Sequence, residues 1–162
     1  MKKSILLLFF SLILMNCEST SKEEKINDFA IIIHGGAGTI LKKNMTDEME
    51  AAYKAKLEEA IKVGHTILKN GGSSQEAVLK TIQVMEESPL FNAGKGAVFT
   101  NAGTNELDAS FMDGNTLNAG AVAGVKDVKS PIELAIKIMT DSEHVMQHYM
   151  FRICHDFNCQ FN

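Results

Sequence analysis

A chain of 162 residues, 45% of them apolar, is long enough for one domain with a real core. The formal net charge of −4, with no basic stripe and no aromatic residues interleaved with basic ones, excludes a nucleic-acid partner. Tryptophan is absent and there are only two prolines, which sets aside a proline-rich or disordered reading.

Residues 1–17 read as a targeting segment rather than as part of the fold. Lys2 and Lys3 precede an apolar run from Ile5 to Met15, broken only by Ser11. The run is shorter than the about 20 residues needed to span a bilayer. Its ending, Leu14-Met15-Asn16-Cys17, resembles a bacterial lipoprotein signal, in which the cysteine becomes the lipidated first residue. That resemblance implies an exported protein, in the periplasm or at the outer membrane or cell surface, with Cys17 as its membrane anchor. Asn16 stands where a small residue is usual, and an ordinary signal peptide with an incidental cysteine is the alternative. Residues 18–28 form a polar, charged tether.

Phe29 to Ile33 is a β-branched apolar run and predicts a central strand buried on both faces. It leads into His34-Gly35-Gly36-Ala37-Gly38, which lacks both the phosphate-loop ending and the dinucleotide spacing. Two readings stay open for this loop: a tight turn at a strand end, or a loop beneath an active site. Thr46, followed by Asp47 and Glu48, predicts a helix start, and Asn70-Gly71-Gly72 predicts its end. Between them Met49, Tyr53, Leu57, Ala60, Ile61, Gly64, Ile67 and Leu68 recur at helical spacing and form one apolar face. His65 on this helix reads as a solvated or hydrogen-bonded histidine. Ser73 and Glu76 predict a capping box for a second helix, with Ala77, Val78, Thr81, Ile82 and Met85 facing inward and Ser88-Pro89 as its stop. The short connection predicts that the two helices pack as antiparallel neighbours.

The stretch from Met85 to Gly124 is the organising one. After a loop over residues 90–96, Ala97 to Thr100 can extend as a strand, and residues 101–105 are turn material. Leu107, Ala109 and Phe111 alternate with Asp108, Ser110 and Met112, the pattern of a half-buried strand. Asp113-Gly114 predicts a tight hairpin turn. From Leu117 to Val125 one face carries Leu117, Ala119, Ala121, Ala123 and Val125, and the other Asn118, Gly120, Val122 and Gly124. Both faces are small, as suits a strand closely covered on both sides. Ser130-Pro131-Ile132-Glu133 predicts a last helix that caps itself through Ser130. The order of strand, two helices, strand meander and helix predicts a layered α+β domain. Cys154 and Cys159, with His144, His148 and His155 nearby, match no common zinc spacing. A disulfide between the two cysteines stays open for an oxidising compartment.

Several ordered segments resemble the plant-type asparaginase and isoaspartyl peptidase family of N-terminal-nucleophile hydrolases. They are Ile33-His34-Gly35-Gly36-Ala37-Gly38, Gly71-Gly72-Ser73-Ser74, the run from Pro89 to Thr100, the run from Glu106 to Gly114, Ala119 to Val125, and Ser142 to Met146. The resemblance covers residues 29–146 and implies the N-terminal half of a four-layer αββα sandwich. It implies hydrolysis of asparagine and β-aspartyl dipeptides by a threonine freed through self-cleavage, whose hydroxyl attacks while its own amine serves as base. It implies a dimer of αβ units and no organic cofactor. It also implies a structural sodium ion on the backbone carbonyls of Met85, Glu86, Ser88, Phe91, Ala93 and Lys95. Asn92 matches an asparagine beside the nucleophile and is the one candidate positioning side chain; from the residues alone it is a turn residue.

The family's nucleophile follows a glycine in a second half, and no counterpart is present. Gly38-Thr39 and Gly103-Thr104 are explained by turn chemistry, so no catalytic nucleophile is expected in this chain and it is expected to be inactive alone. Residues 147–162 depart from the family's pattern, and a frameshift or premature stop is the expectation. The rival expectations are a non-enzymatic truncated lipoprotein, or a chain that assembles with a separately encoded second half. Sequencing the DNA beyond the codon for Met146 is expected to reveal second-half coding sequence in another frame; its absence in every frame removes the frameshift.

Overall fold

The computed structural model describes residues 29–36 and 41–148. The expectations for residues 1–17, the tether 18–28, Cys17, Thr39, Cys154 and Cys159 fall outside the described residues.

Two helices form the first layer. Helix α1 spans Asp47–Lys69, and Thr46 caps it by accepting a hydrogen bond from the Met49 N–H at 3.2 Å. It ends as the Asn70-Gly71-Gly72 signal predicts. The Gly72 N–H donates to Ile67 O at 2.9 Å and the Gly71 N–H to Leu68 O at 3.0 Å, with Gly71 at φ +81°. Helix α2 spans Ser74–Glu86, and the Ser73 hydroxyl accepts from the Glu76 N–H at 3.1 Å. The two helices meet at Gly64, where a Cβ would fall on the Thr81 hydroxyl and the Ile31 side chain and lie 3.3 Å from Ala77 O. Ala77, Thr81 and Met85 are buried on the inner face of α2, and Val78 stays exposed.

The expected central strand at Phe29–Ile33 is corrected. Among the described residues this segment pairs with no strand, and its burial alternates. Ile31 and Ile33 lie against the helical pair, while Ile32 is 92% exposed. The β-branched run is therefore covered on one side only, and composition alone could not tell one covered face from two. His65 is exposed, with its ring edge-on to Phe29 at 5.2 Å.

The second layer is a three-stranded sheet in the order β1-β2-β3. Strand β1 is Leu107–Met112 and alternates as expected. Strand β2 is Ala119–Val125, antiparallel to β1. Helix α3, Pro131–Asp141, crosses over to β3, Met146–His148, which runs parallel to β2. Gln147 and His148, assigned to the atypical tail, thus pair with Val122 and Ala123 of the sheet. The Ala97–Thr100 strand shrinks to one bridge between Phe99 and Asn105.

The expected two-residue turn at Asp113-Gly114 is a longer loop. The Asp113 N–H donates to Asn118 O at 2.9 Å and the Leu117 N–H to Asp113 O at 2.8 Å. Leu117, not Gly114, adopts the left-handed conformation, at φ +62°. The Asp113 carboxylate accepts from the Asn115 N–H at 2.8 Å, an Asx turn that starts the loop and holds its carboxyl below the ordinary value.

The alternation expected along β2 holds as far as Ala123 and then breaks. Ala109 pairs with Val122 but Leu107 with Val125, so β2 carries one extra residue. Gly124 absorbs it at φ +64°, and its N–H donates to the Asp108 carboxylate at 2.8 Å. The bulge turns Val125 to the face of Val122, where both join Leu134 and Ile138 of α3 in one buried cluster. A second cluster, of Ala60, Met85 and Phe91, lies in the helical layer. Among the described residues strand β2 is covered closely on the α3 side only. Ala119, Ala121 and Ala123, beside Ser110 and Met112 of β1, form a sheet face left open by the described residues.

Gly120 marks the closest approach of α3 to the sheet. A Cβ there would fall on Ala135 O and lie 2.6 Å from the Met139 nitrogen, both backbone atoms with no room to retreat. Gly120→Ala is expected to destabilise the fold by about 2–3 kcal/mol in urea unfolding. Gly114→Ala, whose Cβ would meet nothing within 4 Å, serves as the neutral control. Equal midpoints for the two variants would refute this packing.

Candidate functional site

The candidate site is the loop that leaves α2. Its entry is fixed by Ser88, which is buried: the Ser88 N–H donates to Met85 O at 3.1 Å, and its hydroxyl accepts from the Leu90 N–H at 3.3 Å. Phe91 is buried edge-on to Tyr53, with ring centroids 5.8 Å apart. The chain then doubles back through a 3-10 turn, Gly94–Gly96. A Cβ on Gly94, at φ +50°, would fall on Glu86 O. One on Gly96 would fall on Phe91 O and lie 2.8 Å from Pro89 O. Only glycine permits this approach, which draws the carbonyls of Glu86, Pro89 and Phe91 around one short turn.

Of the six carbonyls expected to hold a cation, those of Glu86 and Phe91 are brought to this cradle. Phe91 and Ala93 each already accept one backbone N–H, which leaves a second lone pair apiece, whereas Met85 O receives both the Ser88 and the Glu87 N–H. Neutral, hard oxygens around a glycine turn fit a hard cation. The Lys95 side chain pairs outward with Glu87, which Lys129 also approaches at 3.7 Å. Among the described residues no group of three or more His, Cys, Asp or Glu could hold a metal.

Glu86 has a role in its side chain that the sequence reading missed. It is only 6% exposed. Its Oε1 accepts from the Ile132 N–H at 3.0 Å and its Oε2 from the Ser130 hydroxyl at 2.7 Å. Glu86 thus caps α3, and the expected self-capping by Ser130 does not form: Ser130 spends its hydroxyl on Glu86. Gln83 joins the cluster, donating to Ser130 Oγ and Glu133 Oε2 at 3.3 Å each. Burial pushes the Glu86 carboxyl above its ordinary value, with Glu133 and Glu87 acting in the same direction against the two hydrogen bonds. One signal was present in the sequence. An acid at the C-terminal end of a helix opposes the macrodipole, so Glu86 called for a partner elsewhere.

Asn92 lies in the same loop, exposed, with its Oδ1 accepting from the Val98 N–H at 3.0 Å. The Asn105 Nδ2 donates to Ala97 O at 2.7 Å and to Val98 O at 3.1 Å. Next to them the Thr104 hydroxyl is engaged with that of Thr100 at 3.0 Å, within the turn that Gly103 closes. Gly35 packs against Leu57, and the rest of its loop lies outside the described residues. The site therefore unites Asn92 with the glycine cradle but holds no nucleophile–base pair among the described residues.

Matches to known proteins bear on this loop and the strands after it. A family profile described as Asparaginase matches residues 27–150. An isoaspartyl peptidase of Salmonella typhimurium is 47% identical over 121 residues, which are 75% of this chain and 39% of that protein. A plant-type L-asparaginase of Pyrococcus horikoshii is 47% identical over 117 residues, 72% of this chain and 37% of its own length. An isoaspartyl peptidase/L-asparaginase of Xenopus laevis is 38% identical over 116 residues, 72% of this chain and 36% of that protein. The chain thus spans under two fifths of the length of these relatives.

The Glu86 cap can be tested by pH. Its folded carboxyl titrates above the unfolded one, so the folded state holds the proton more tightly. The stability Glu86 contributes is then fullest below the unfolded value of 4.5 and declines as pH rises through the folded value. Urea unfolding of the native chain is expected to show this decline, and Glu86→Gln to flatten it. Glu86→Ala, which leaves the Ile132 N–H without an acceptor, is expected to cost roughly 2–3 kcal/mol. Identical pH profiles for native and Gln variants would rule the linkage out.

Proposed function

The chain belongs to the asparaginase family, and from that premise we propose that it forms one part of an amidohydrolase acting on asparagine and β-aspartyl dipeptides. The observation that carries this reading is the loop of residues 85–105, where a matched glycine cradle holds Asn92 with one end of its amide occupied and the other outward. The Val98 N–H occupies Oδ1, and Nδ2 has no hydrogen-bond partner among the described residues. Nδ2 is therefore the end of the amide left to donate, and it can position an oxygen, either of an attacking hydroxyl or of the carbonyl under attack.

In the proposed reaction a threonine hydroxyl attacks the side-chain carbonyl, its own amine takes the proton, and ammonia or an amino acid leaves. Water then releases aspartate and restores the hydroxyl. We assign the attacking threonine to a position outside the described residues, since its amine must be free to act as base. The chemistry calls for no organic cofactor. A structural sodium would rest on the carbonyls of Met85, Glu86, Ser88, Phe91, Ala93 and Lys95 and would stiffen the loop that carries Asn92.

The open sheet face at Ala119, Ala121 and Ala123 supports completion by a second sheet, as a four-layer sandwich requires. We assign that sheet to the part of the relatives' length that this chain does not span, and the assembled units to a dimer. Cys17 and the preceding apolar run support an exported, lipid-anchored protein.

The test is ammonia release from asparagine. The chain alone is expected to give none above background, and co-expression with the remaining segment of a relative is expected to restore it. Activity of the chain alone would overturn the assignment of the nucleophile to a second half. No activity from a well-folded complex would leave the non-enzymatic lipoprotein as the better reading.

A further inference from the structure

We propose that Asn105 is a positioning residue: it clamps the Ala97-Val98 backbone so that the Val98 N–H pins Asn92 in its donating orientation. Two side-chain amides grip one residue from opposite sides of the chain. Asn92 reaches the Val98 N–H from the loop that precedes it, and Asn105 reaches the Ala97 and Val98 carbonyls from the turn that follows. The chemistry of the partners fixes both amide orientations. Carbonyls only accept, so the Asn105 group facing them is the NH2; the Val98 N–H only donates, so the Asn92 group facing it is the oxygen.

The clamp has a purpose because, among the described residues, the backbone on either side of Val98 is held by only a few bonds: the Ala97 N–H to Gly94 O at 3.2 Å and the Thr100 N–H to Thr104 O at 2.7 Å. Val98 and Phe99 are 63% and 74% exposed, so burial does not fix them. Ladder pairing is limited to the Phe99–Asn105 bridge. Asn92 itself is anchored at its base by buried Phe91, while its tip depends on where the Val98 N–H sits. Without the two Asn105 bonds, Val98 can swing away and release Asn92 Oδ1, and the amide can then turn over. A donor placed for catalysis loses its value with a small misplacement. Asn105 touches neither substrate nor reacting atoms and acts only through Val98 and Asn92.

The first arm of the test needs no activity. In 15N-labelled full chain, Asn105→Asp, which keeps the shape but removes the donor, is expected to speed exchange of the Val98 amide by roughly tenfold. It is also expected to shift the Asn92 side-chain NH2 signals. Asn105→Ala is expected to do the same, and Thr104→Ala, which loosens the neighbouring turn but spares the clamp, to leave both unchanged. Unaltered Val98 exchange in the Asn105 variants would overturn the proposal. So would an equal effect of Thr104→Ala, or a parallel loss of protection at Val122 and Ile138 in the core. The second arm rests on the proposed hydrolase. In the assembled enzyme Asn105→Asp is expected to lower kcat roughly tenfold at unchanged KM. Full kcat in that variant overturns the positioning role, whereas an inactive native complex removes the hydrolase reading and leaves the clamp to stand on the exchange data.

Discussion

The buried carboxylate of Glu86 is the joint on which the two layers turn. The helical pair has its own apolar cluster around Ala60, Met85 and Phe91, and the sheet has another around Val122, Val125, Leu134 and Ile138. Between them Glu86, the last residue of α2, receives the Ile132 N–H, the first N–H of α3, and the hydroxyl of Ser130 just before it. The N-terminus of a helix needs acceptors, and a buried one has no water to supply them. Glu86 answers that need with both carboxylate oxygens, and its own burial is tolerated because both are bonded. The same residue presents its carbonyl to the glycine turn at Gly94. Cap and cradle are thus parts of one residue.

Close approach of backbone to backbone is the second constraint. Gly94 and Gly96 admit the carbonyls of the loop, and Gly120 admits the backbone of α3. Each would collide with main-chain atoms if it carried a Cβ, so these are positions where repacking of a side chain offers no relief. The bulge at Gly124 belongs with them. By absorbing one residue it returns Val125 to the core, and the Asp108 carboxylate holds the distortion from the open face of the sheet. The face so formed carries alanines, Ser110 and the exposed Met112.

Much of the architecture was legible because its signals are local. Thr46, Ser73 and Asn70-Gly71-Gly72 mark helix ends through hydrogen bonds made within a few residues, and the structure uses them as written. The alternation of β1 is equally local. Readings failed where a distant group competed. Ser130 looked like the cap of its own helix, but a carboxylate 44 residues away took its hydroxyl. Asp113-Gly114 looked like a two-residue turn, but the register of the strands demanded a longer loop, and Leu117 took the left-handed position.

The sequence by itself determined the helices, the caps of the first two, the half-buried first strand and, through its ordered motifs, the family. Those depend on spacing and on bonds between near neighbours. Only the tertiary structure decided which face of Phe29–Ile33 is covered, where β2 slips its register, and that Glu86 rather than Ser130 caps α3. It alone decided which end of the Asn92 amide is engaged, because that follows from a bond to Val98, six residues on, in a segment held in turn by Asn105. Such facts depend on which atoms meet after the chain has folded, and no periodicity in the sequence encodes them.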